Sequence, residues 1–112
     1  MGVGAENREE IMISGERAYQ LIQDTMSSLW RSGLIKQDVT IEKNTVLLGT
    51  GSPLDSLAFV TLVAELEDRL NRETGQDLSL VLDEIHEFNV NVPYLTAETL
   101  SRYMIKLTDK RQ

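Results

Sequence analysis

Apolar residues recur at helical spacing in three separate segments of this 112-residue chain. Within each segment they fall three or four positions apart, as on one face of an α-helix, and a side chain suited to capping precedes the first of them. Amphipathic helices of this length are stable only when their apolar faces pack together. The pattern therefore predicts a single all-α domain.

The first helix is predicted to begin after Ser14, a suitable N-cap, and to end at Gly33. We expect its apolar face to lie in the core; that face comprises Ala18, Leu21, Ile22, Met26, Leu29 and Trp30. Residues 1–13 are mostly polar and predict a flexible arm, and residues 109–112 a short tail. The domain itself is predicted to span residues 14–108.

Residues 34–54 lack the helical period and predict a long structured loop, with Val46, Leu47 and Leu48 tucked onto the core. A pair of short strands within this loop is an alternative, although its alternation is poor. The segment Gly49–Ser52 is glycine-rich, but it lacks the lysine of a phosphate-binding loop and predicts a plain turn. After Pro53, either Asp55 or Ser56 caps the second helix, which Gly75 ends.

Two further helices are predicted after Gly75. Ser79 is expected to cap a short third helix that ends at Phe88, with Leu82, Ile85, His86 and Phe88 facing inward. Thr96 is expected to cap the last helix, whose apolar face comprises Ala97, Leu100, Tyr103, Met104 and Leu107. The predicted architecture is a small four-helix bundle of three main helices and one short helix, with a long loop between the first two.

The negative charge of the chain is concentrated in its middle third. The net charge is −7, and residues 55–88 contain nine acidic and two basic side chains. A field of this sign repels phosphate backbones and anionic membranes, so nucleic acid and lipid surfaces are poor partners, whereas basic protein surfaces are good ones. No apolar segment is long enough to span a membrane, and we expect a cytoplasmic monomer.

Several classes of chemistry are disfavoured by residue content. The chain has no cysteine, so it has no thiol of its own and no cysteine-based metal site. His86, the only histidine, is a weak candidate for a base acting on Ser56, because the usual nucleophile motif is absent. Asp83, Glu84 and Glu87 lack the ligand pattern of a calcium loop and predict a solvated acidic surface rather than a metal site.

The segment Pro53–Leu57 is the strongest functional signal. It carries Asp55–Ser56–Leu57 at the start of an acidic helix, after a long loop and before a short and a last helix. This combination resembles the acyl carrier protein family over roughly residues 14–107. The resemblance implies that Ser56 carries covalent 4′-phosphopantetheine derived from coenzyme A, and that the chain is a carrier rather than an enzyme.

The resemblance also implies roles for neighbouring residues. Asp55 is the acid before the modified serine, and Leu57 is an apolar residue that partner enzymes contact. Glu67 and Asp68 form an acidic recognition edge. An acyl chain would shelter among Val60, Leu66 and Leu100. The implied partners are a phosphopantetheinyl transferase and acyl-loading and acyl-using enzymes with basic docking patches.

Three departures from the family pattern predict a specialised carrier rather than the housekeeping carrier of fatty acid synthesis. Pro53 stands where the family usually has glycine, Ala58 stands where an acid is frequent, and Thr61 is uncharged. The connection from Leu70 to the last helix is also longer than in a compact member. Two alternatives remain open: an aminoacyl or peptidyl carrier such as a D-alanyl carrier, and an acidic helical adaptor with no prosthetic group.

Overall fold

Helices dominate the part of the chain that the computed structural model describes, residues 12–89 and 94–109. Helices make up 59% of this part and strands 5%, so the predicted all-α class is confirmed. Residues 1–11 of the predicted arm and 110–112 of the predicted tail lie outside the described residues. In chain order the elements are α1 (Gly15–Arg31), β1 (Val46–Leu48), α2 (Ser56–Thr74), α3 (Leu82–Phe88), β2 (Leu95–Thr96) and α4 (Ala97–Thr108).

Side-chain caps begin the three long helices where the sequence predicts them. Ser14, Asp55 and Thr96 each accept a hydrogen bond from the backbone N–H three residues further on, at 3.1, 2.8 and 3.3 Å. Each cap satisfies an amide that has no carbonyl partner within its helix. Gly75 ends α2 with a φ of 72°, a left-handed conformation that glycine adopts without steric strain.

The core is centred on α1, which packs against both α2 and α4. Its buried positions recur every three or four residues, as the sequence predicts. None of the helices in the described residues is long and apolar enough to cross a membrane. The largest side chains in the core that are fully buried and apolar are Ile22, Met26, Leu29, Leu47, Leu62, Leu66, Leu70, Leu100 and Met104.

Trp30 is a correction to the predicted core, because its side chain is 42% exposed. The buried stripe of α1 ends at Leu29. The next residue along an α-helix is rotated by about 100°. Trp30 therefore lies beside the buried stripe rather than on it.

Ile13, the last residue of the predicted arm, packs into the core. Ile13 is buried, and its backbone N–H donates a hydrogen bond of 3.2 Å to Oγ1 of Thr108 at the end of α4. The last residue of the predicted arm is thus part of the core.

The loop between α1 and α2 contains one strand, whose partner lies outside that loop. β1 pairs antiparallel with β2, in the register Val46 to Thr96 and Leu48 to Leu95. Beyond the strand pair, the carbonyls of Thr45 and Lys43 accept the backbone N–H groups of the first two residues of α4, at 2.9 and 3.1 Å. The loop therefore helps to cap α4, and Leu47 is buried as predicted.

The predicted start of the third helix is wrong. α3 begins at Leu82 without a side-chain cap, and Ser79 is exposed and precedes the helix by three residues. Leu80 is buried in the core, and its N–H donates a 2.9 Å hydrogen bond to Glu67 of α2. Because these contacts hold Leu80 against α2, the chain stays extended through Val81 and turns helical only afterwards.

Only one of the four residues expected to face inward from α3 is buried. Ile85 is buried, whereas Leu82, His86 and Phe88 are exposed. Phe88 packs edge-to-face against Tyr103 of α4, with ring centroids 5.9 Å apart. A helix of seven residues makes about two turns, so only one of its positions reaches the core here.

Tyr103 of α4 forms hydrogen bonds with α3 and with the residue that precedes it. Its hydroxyl donates a 2.9 Å hydrogen bond to Oε1 of Glu84 and accepts a 3.4 Å hydrogen bond from the N–H of Val81. Burial raises the pKa of Tyr103 to about 12. The hydroxyl therefore remains protonated at neutral pH and keeps its donor role.

Candidate functional site

Ser56 is the first residue of the 19-residue helix α2, and it is exposed. Its hydroxyl takes part in no hydrogen bond among the described residues. An exposed hydroxyl at the start of a helix is accessible to another protein, and the positive end of the helix dipole favours an anion placed there. Ser56 can therefore be approached by a modifying enzyme without opening the core.

Asp55 orders the backbone immediately before Ser56. Its Oδ1 accepts the N–H of Ala58 at 2.8 Å, and its carbonyl oxygen accepts the N–H of Phe59 at 2.9 Å. Both Ala58 and Phe59 are buried, so the first turn of α2 is held from the capping side and from the core side. The position of Ser56 is therefore well defined even though its side chain is exposed.

Ser52, four residues earlier, has a different structural role. Its hydroxyl donates to the carbonyl oxygen of Leu47 at 2.8 Å and accepts the N–H of Leu54 at 3.0 Å. The predicted turn at Gly49–Ser52 is confirmed: the N–H of Ser52 reaches the carbonyl oxygen of Gly49 at 3.1 Å, and Gly51 has a φ of 94°. Ser52 therefore holds the loop in front of α2, and of these two serines Ser56 is the one whose hydroxyl is available.

Two apolar side chains stand exposed beside Ser56. Leu57 is 65% exposed and Val60 is 51% exposed. Residues three apart on a helix are neighbours on its surface, so these two side chains form a small apolar patch. The exposure of Leu57 fits the partner contact expected from the sequence.

The two acids of the expected recognition edge differ in their surroundings. Oε2 of Glu67 accepts the N–H of Leu80 at 2.9 Å, so this carboxylate binds the backbone of the segment that connects α2 and α3. Asp68 is exposed and forms a 2.6 Å ion pair with Arg72. Of the two, Asp68 is the one whose carboxylate lies on the outer surface.

Val60, Leu66 and Leu100 do not share one environment. Leu66 and Leu100 are completely buried in the same core cluster, whereas Val60 is among the exposed apolar residues. Six residues along an α-helix correspond to a rotation of about 600°, which leaves Val60 roughly 120° away from Leu66. The structure therefore places Val60 on the outer face of α2 and the other two residues of the expected acyl shelter in the core.

A cleft beside the start of α2 was missed by the sequence reasoning. It has a volume of about 370 Å³ and is lined by Leu34, Ile35, Lys36, Gln37, Pro53 and Asp55. Four of these residues lie between three and six positions after the last residue of α1, and the other two lie within three positions before Ser56. No sequence motif marks the cleft, because it exists only where the fold brings the two ends of the long loop together.

His86 is exposed in the last turn of α3, and no hydrogen bond joins it to Ser56 among the described residues. A serine hydrolase requires its base within hydrogen-bond reach of the nucleophile. Across residues 12–89 and 94–109, no group of three or more His, Asp or Glu side chains is arranged to hold a metal ion.

No protein-family model, no curated protein and no solved structure matches this chain significantly. The resemblance to acyl carrier proteins therefore depends on the residues around Ser56 and on the order of the helices.

Proposed function

We propose that this chain is an acyl carrier protein with the architecture of a small four-helix bundle, which holds acyl groups on a 4′-phosphopantetheine arm attached to Ser56. The observation that carries the proposal is the placement of Ser56. It is an exposed serine at the first position of a long helix, directly after a capping aspartate and directly before an exposed leucine.

The residues around Ser56 fit such a group. Its hydroxyl is exposed and uncommitted among the described residues, so an ester can form there without loss of a structural hydrogen bond. A phosphodiester on this oxygen would lie at the helix N-terminus, where the macrodipole and free amides stabilise negative charge. The bound group would supply a terminal thiol, which the cysteine-free chain lacks, for carrying acyl groups as thioesters.

Attachment requires a separate transferase. Oγ of Ser56 forms a bond to the phosphorus of the phosphopantetheine half of coenzyme A, and the pyrophosphate bond breaks to release adenosine 3′,5′-bisphosphate. The hydroxyl proton passes to a base on the transferase or to solvent. Asp55 contributes a carboxylate beside the reacting hydroxyl, where it can help hold the Mg²⁺ that neutralises the pyrophosphate.

Exposed side chains next to Ser56 support docking of successive partner enzymes. Leu57 and Val60 offer apolar contact, and Asp68 offers negative charge on the same helix. A small patch with complementary charge favours rapid association and exchange over tight binding. Such a balance suits a carrier that interacts with several enzymes in turn, and the departures at Pro53 and Thr61 support a specialised set of partners.

The proposal is tested by intact-mass measurement after incubation with coenzyme A and a promiscuous phosphopantetheinyl transferase. We expect the parent protein to gain the mass of one phosphopantetheine group. Ser56→Ala should gain none while keeping the parental circular dichroism spectrum, because Asp55 still caps α2. Ser79→Ala serves as the control and should be modified like the parent, because Ser79 is exposed and lies outside the helices.

Other results would identify the alternatives. A parent protein that gains no mass would favour the acidic adaptor without a prosthetic group. Modification at Ser52 or Ser79 would overturn the assignment of Ser56. If the modified protein accepts an amino acid rather than an acyl group from a loading enzyme, it is an aminoacyl carrier that uses the same serine.

A further inference from the structure

The cleft beside Ser56 combines an apolar surface with a positive charge. Leu34, Ile35 and Pro53 contribute the apolar part, and Ile35 is buried beneath it. Lys36 is exposed and forms no ion pair among the described residues. The cleft is therefore suited to a ligand with an anionic end and a short apolar segment.

The position of the cleft indicates where such a ligand would come from. Asp55 is both the N-cap of α2 and part of the cleft lining, so the cleft opens one residue away from Ser56. The lining of the cleft includes neither Leu57 nor Val60, the two exposed apolar residues beside Ser56 on α2. Its volume of about 370 Å³ is within the range of roughly 300–1000 Å³ that small-molecule sites occupy.

A modified Ser56 would place two negative charges at the start of α2, and a nearby cation would stabilise them. A phosphodiester on Ser56 stands next to the carboxylate of Asp55, and like charges this close repel one another. Lys36 is the cation within the cleft lining, and its ammonium group offsets this repulsion if it pairs with the phosphodiester. Pairing of this kind is weakened by salt because the cleft is open to solvent.

Building on the proposed function, we propose that this cleft is the resting site of the part of the phosphopantetheine arm nearest to Ser56. Lys36 pairs with the phosphodiester, and the geminal methyl groups that follow it in the arm pack against Leu34 and Pro53. The side-chain amide of Gln37 is available to the first amide of the arm. The thiol end extends beyond the cleft and remains accessible to partner enzymes.

The experiment uses isotope-labelled protein carrying an unlabelled arm, with modification first verified by intact mass. We expect nuclear Overhauser effects between the geminal methyl protons of the arm and the side-chain protons of Leu34 and Pro53. Lys36→Glu should weaken them by roughly threefold, the factor that a solvent-exposed ion pair typically supplies. Lys43→Glu is the matched control, because Lys43 is exposed in the same loop but does not line the cleft.

Each outcome has a distinct meaning. A modified protein in which the geminal methyl groups show no contact with Leu34 or Pro53 would overturn the resting site while leaving the carrier function intact. Equal weakening by Lys36→Glu and Lys43→Glu would overturn the specific role of Lys36. Absence of any mass gain would overturn the carrier function and the resting site together.

Discussion

At the residue scale, two adjacent side chains at the start of α2 have different roles: Asp55 caps the helix, and Ser56 offers a hydroxyl for modification. Asp55 is engaged by the N–H of Ala58, whereas Ser56 has no structural hydrogen bond among the described residues. The capping contact maintains the helix start, and the serine remains free for chemistry. Substitutions at the two positions should therefore have separable effects on stability and on modification.

Asp55→Ala should lower the free energy of unfolding by about 1 kcal/mol, because the N–H of Ala58 loses its capping acceptor. Asp55→Asn keeps an acceptor of similar quality and should change stability by only a few tenths of a kcal/mol. Urea melts measure both values. If the carboxylate also assists modification, Asp55→Asn will be modified slowly despite normal stability; equal losses of stability in the two variants would contradict the capping role.

Glu67 and Asp68 are adjacent acids with different contacts: Glu67 accepts a backbone hydrogen bond, and Asp68 forms an exposed ion pair. Glu67→Lys removes the acceptor of the Leu80 N–H and should lower the free energy of unfolding by about 1–3 kcal/mol. Asp68→Lys disrupts only an exposed ion pair and should change stability by about 0.5 kcal/mol or less. Denaturant melts distinguish them, and Glu67→Gln is the control that retains an acceptor oxygen.

Asp68→Lys also tests whether negative charge on α2 contributes to docking of the transferase. Because Asp68→Lys is expected to leave the fold intact, any slower modification by the transferase would report on the docking surface itself. We expect the slowing to be larger at low salt than at high salt, since ions screen exposed charges. Equal rates for parent and variant at all ionic strengths would place the docking surface elsewhere.

At the element scale, the helices are joined by polar contacts as well as by the core. Arg17 of α1 forms a two-pronged contact with Glu73 of α2, at 2.6 and 3.1 Å. Side chains also fix the connection after α2: Asn71 both donates to and accepts from the backbone of Leu78, at 3.0 and 2.7 Å. These contacts set the positions of α1 and of the α2–α3 connection relative to α2.

The Arg17–Glu73 pair predicts a specific dependence of stability on pH. The hydrogen bond from Arg17 lowers the pKa of Glu73 below its ordinary value of 4.5. A depressed folded-state pKa stabilises the fold above the unfolded-state value, and the contribution is lost as the pH falls through the folded-state pKa. Both side chains are partly exposed, so solvent screening limits the contribution at pH 7 to about 0.5 kcal/mol.

Urea melts of the parent and of Glu73→Gln should therefore differ at pH 7 and converge as the pH falls below 4.5. Glu42→Gln is the control, because Glu42 is exposed and its carboxylate forms no ion pair among the described residues. A Glu73→Gln difference that persists unchanged in acid would show that the ion pair does not contribute to the pH dependence.

At the scale of the whole molecule, one core cluster receives side chains from all four helices and from β1. α1 lies against α2 and α4, while the β1–β2 pair and the carbonyls of Lys43 and Thr45 bind the long loop to the start of α4. Ser56 thus lies on the exposed side of α2, and the opposite side of this helix packs in the core.

Leu66→Ala and Leu100→Ala should each lower the free energy of unfolding by roughly 2–5 kcal/mol, because both side chains are completely buried and their truncation leaves a cavity. Leu57→Ala is the matched control, since its side chain is 65% exposed and its loss should change stability by about 0.5 kcal/mol or less. Guanidinium melts measure all three. Parental stability in Leu66→Ala or Leu100→Ala would contradict the packing of α2 or α4 respectively.

The sequence by itself determined the features that depend on neighbours along the chain. Helical period, capping side chains and glycine placement correctly predicted the caps of α1 at Ser14 and of α4 at Thr96, because a cap and its amide lie three residues apart. For α2 they left Asp55 and Ser56 as alternatives, and the structure shows that Asp55 is the cap. The same local pattern identified Ser56 as the candidate site residue. Ser56 is exposed because it precedes the first buried position of α2.

Only the tertiary structure decided which groups meet across long separations. β1 finds its partner about fifty residues away, and Leu80 is held by Glu67, which displaces the predicted cap at Ser79. The cleft that brings Lys36 near Asp55 has the same origin. Local patterns report which residues favour burial or capping, but the partner that satisfies them is chosen by packing of the whole chain, where burial and backbone hydrogen bonding outweigh local propensity.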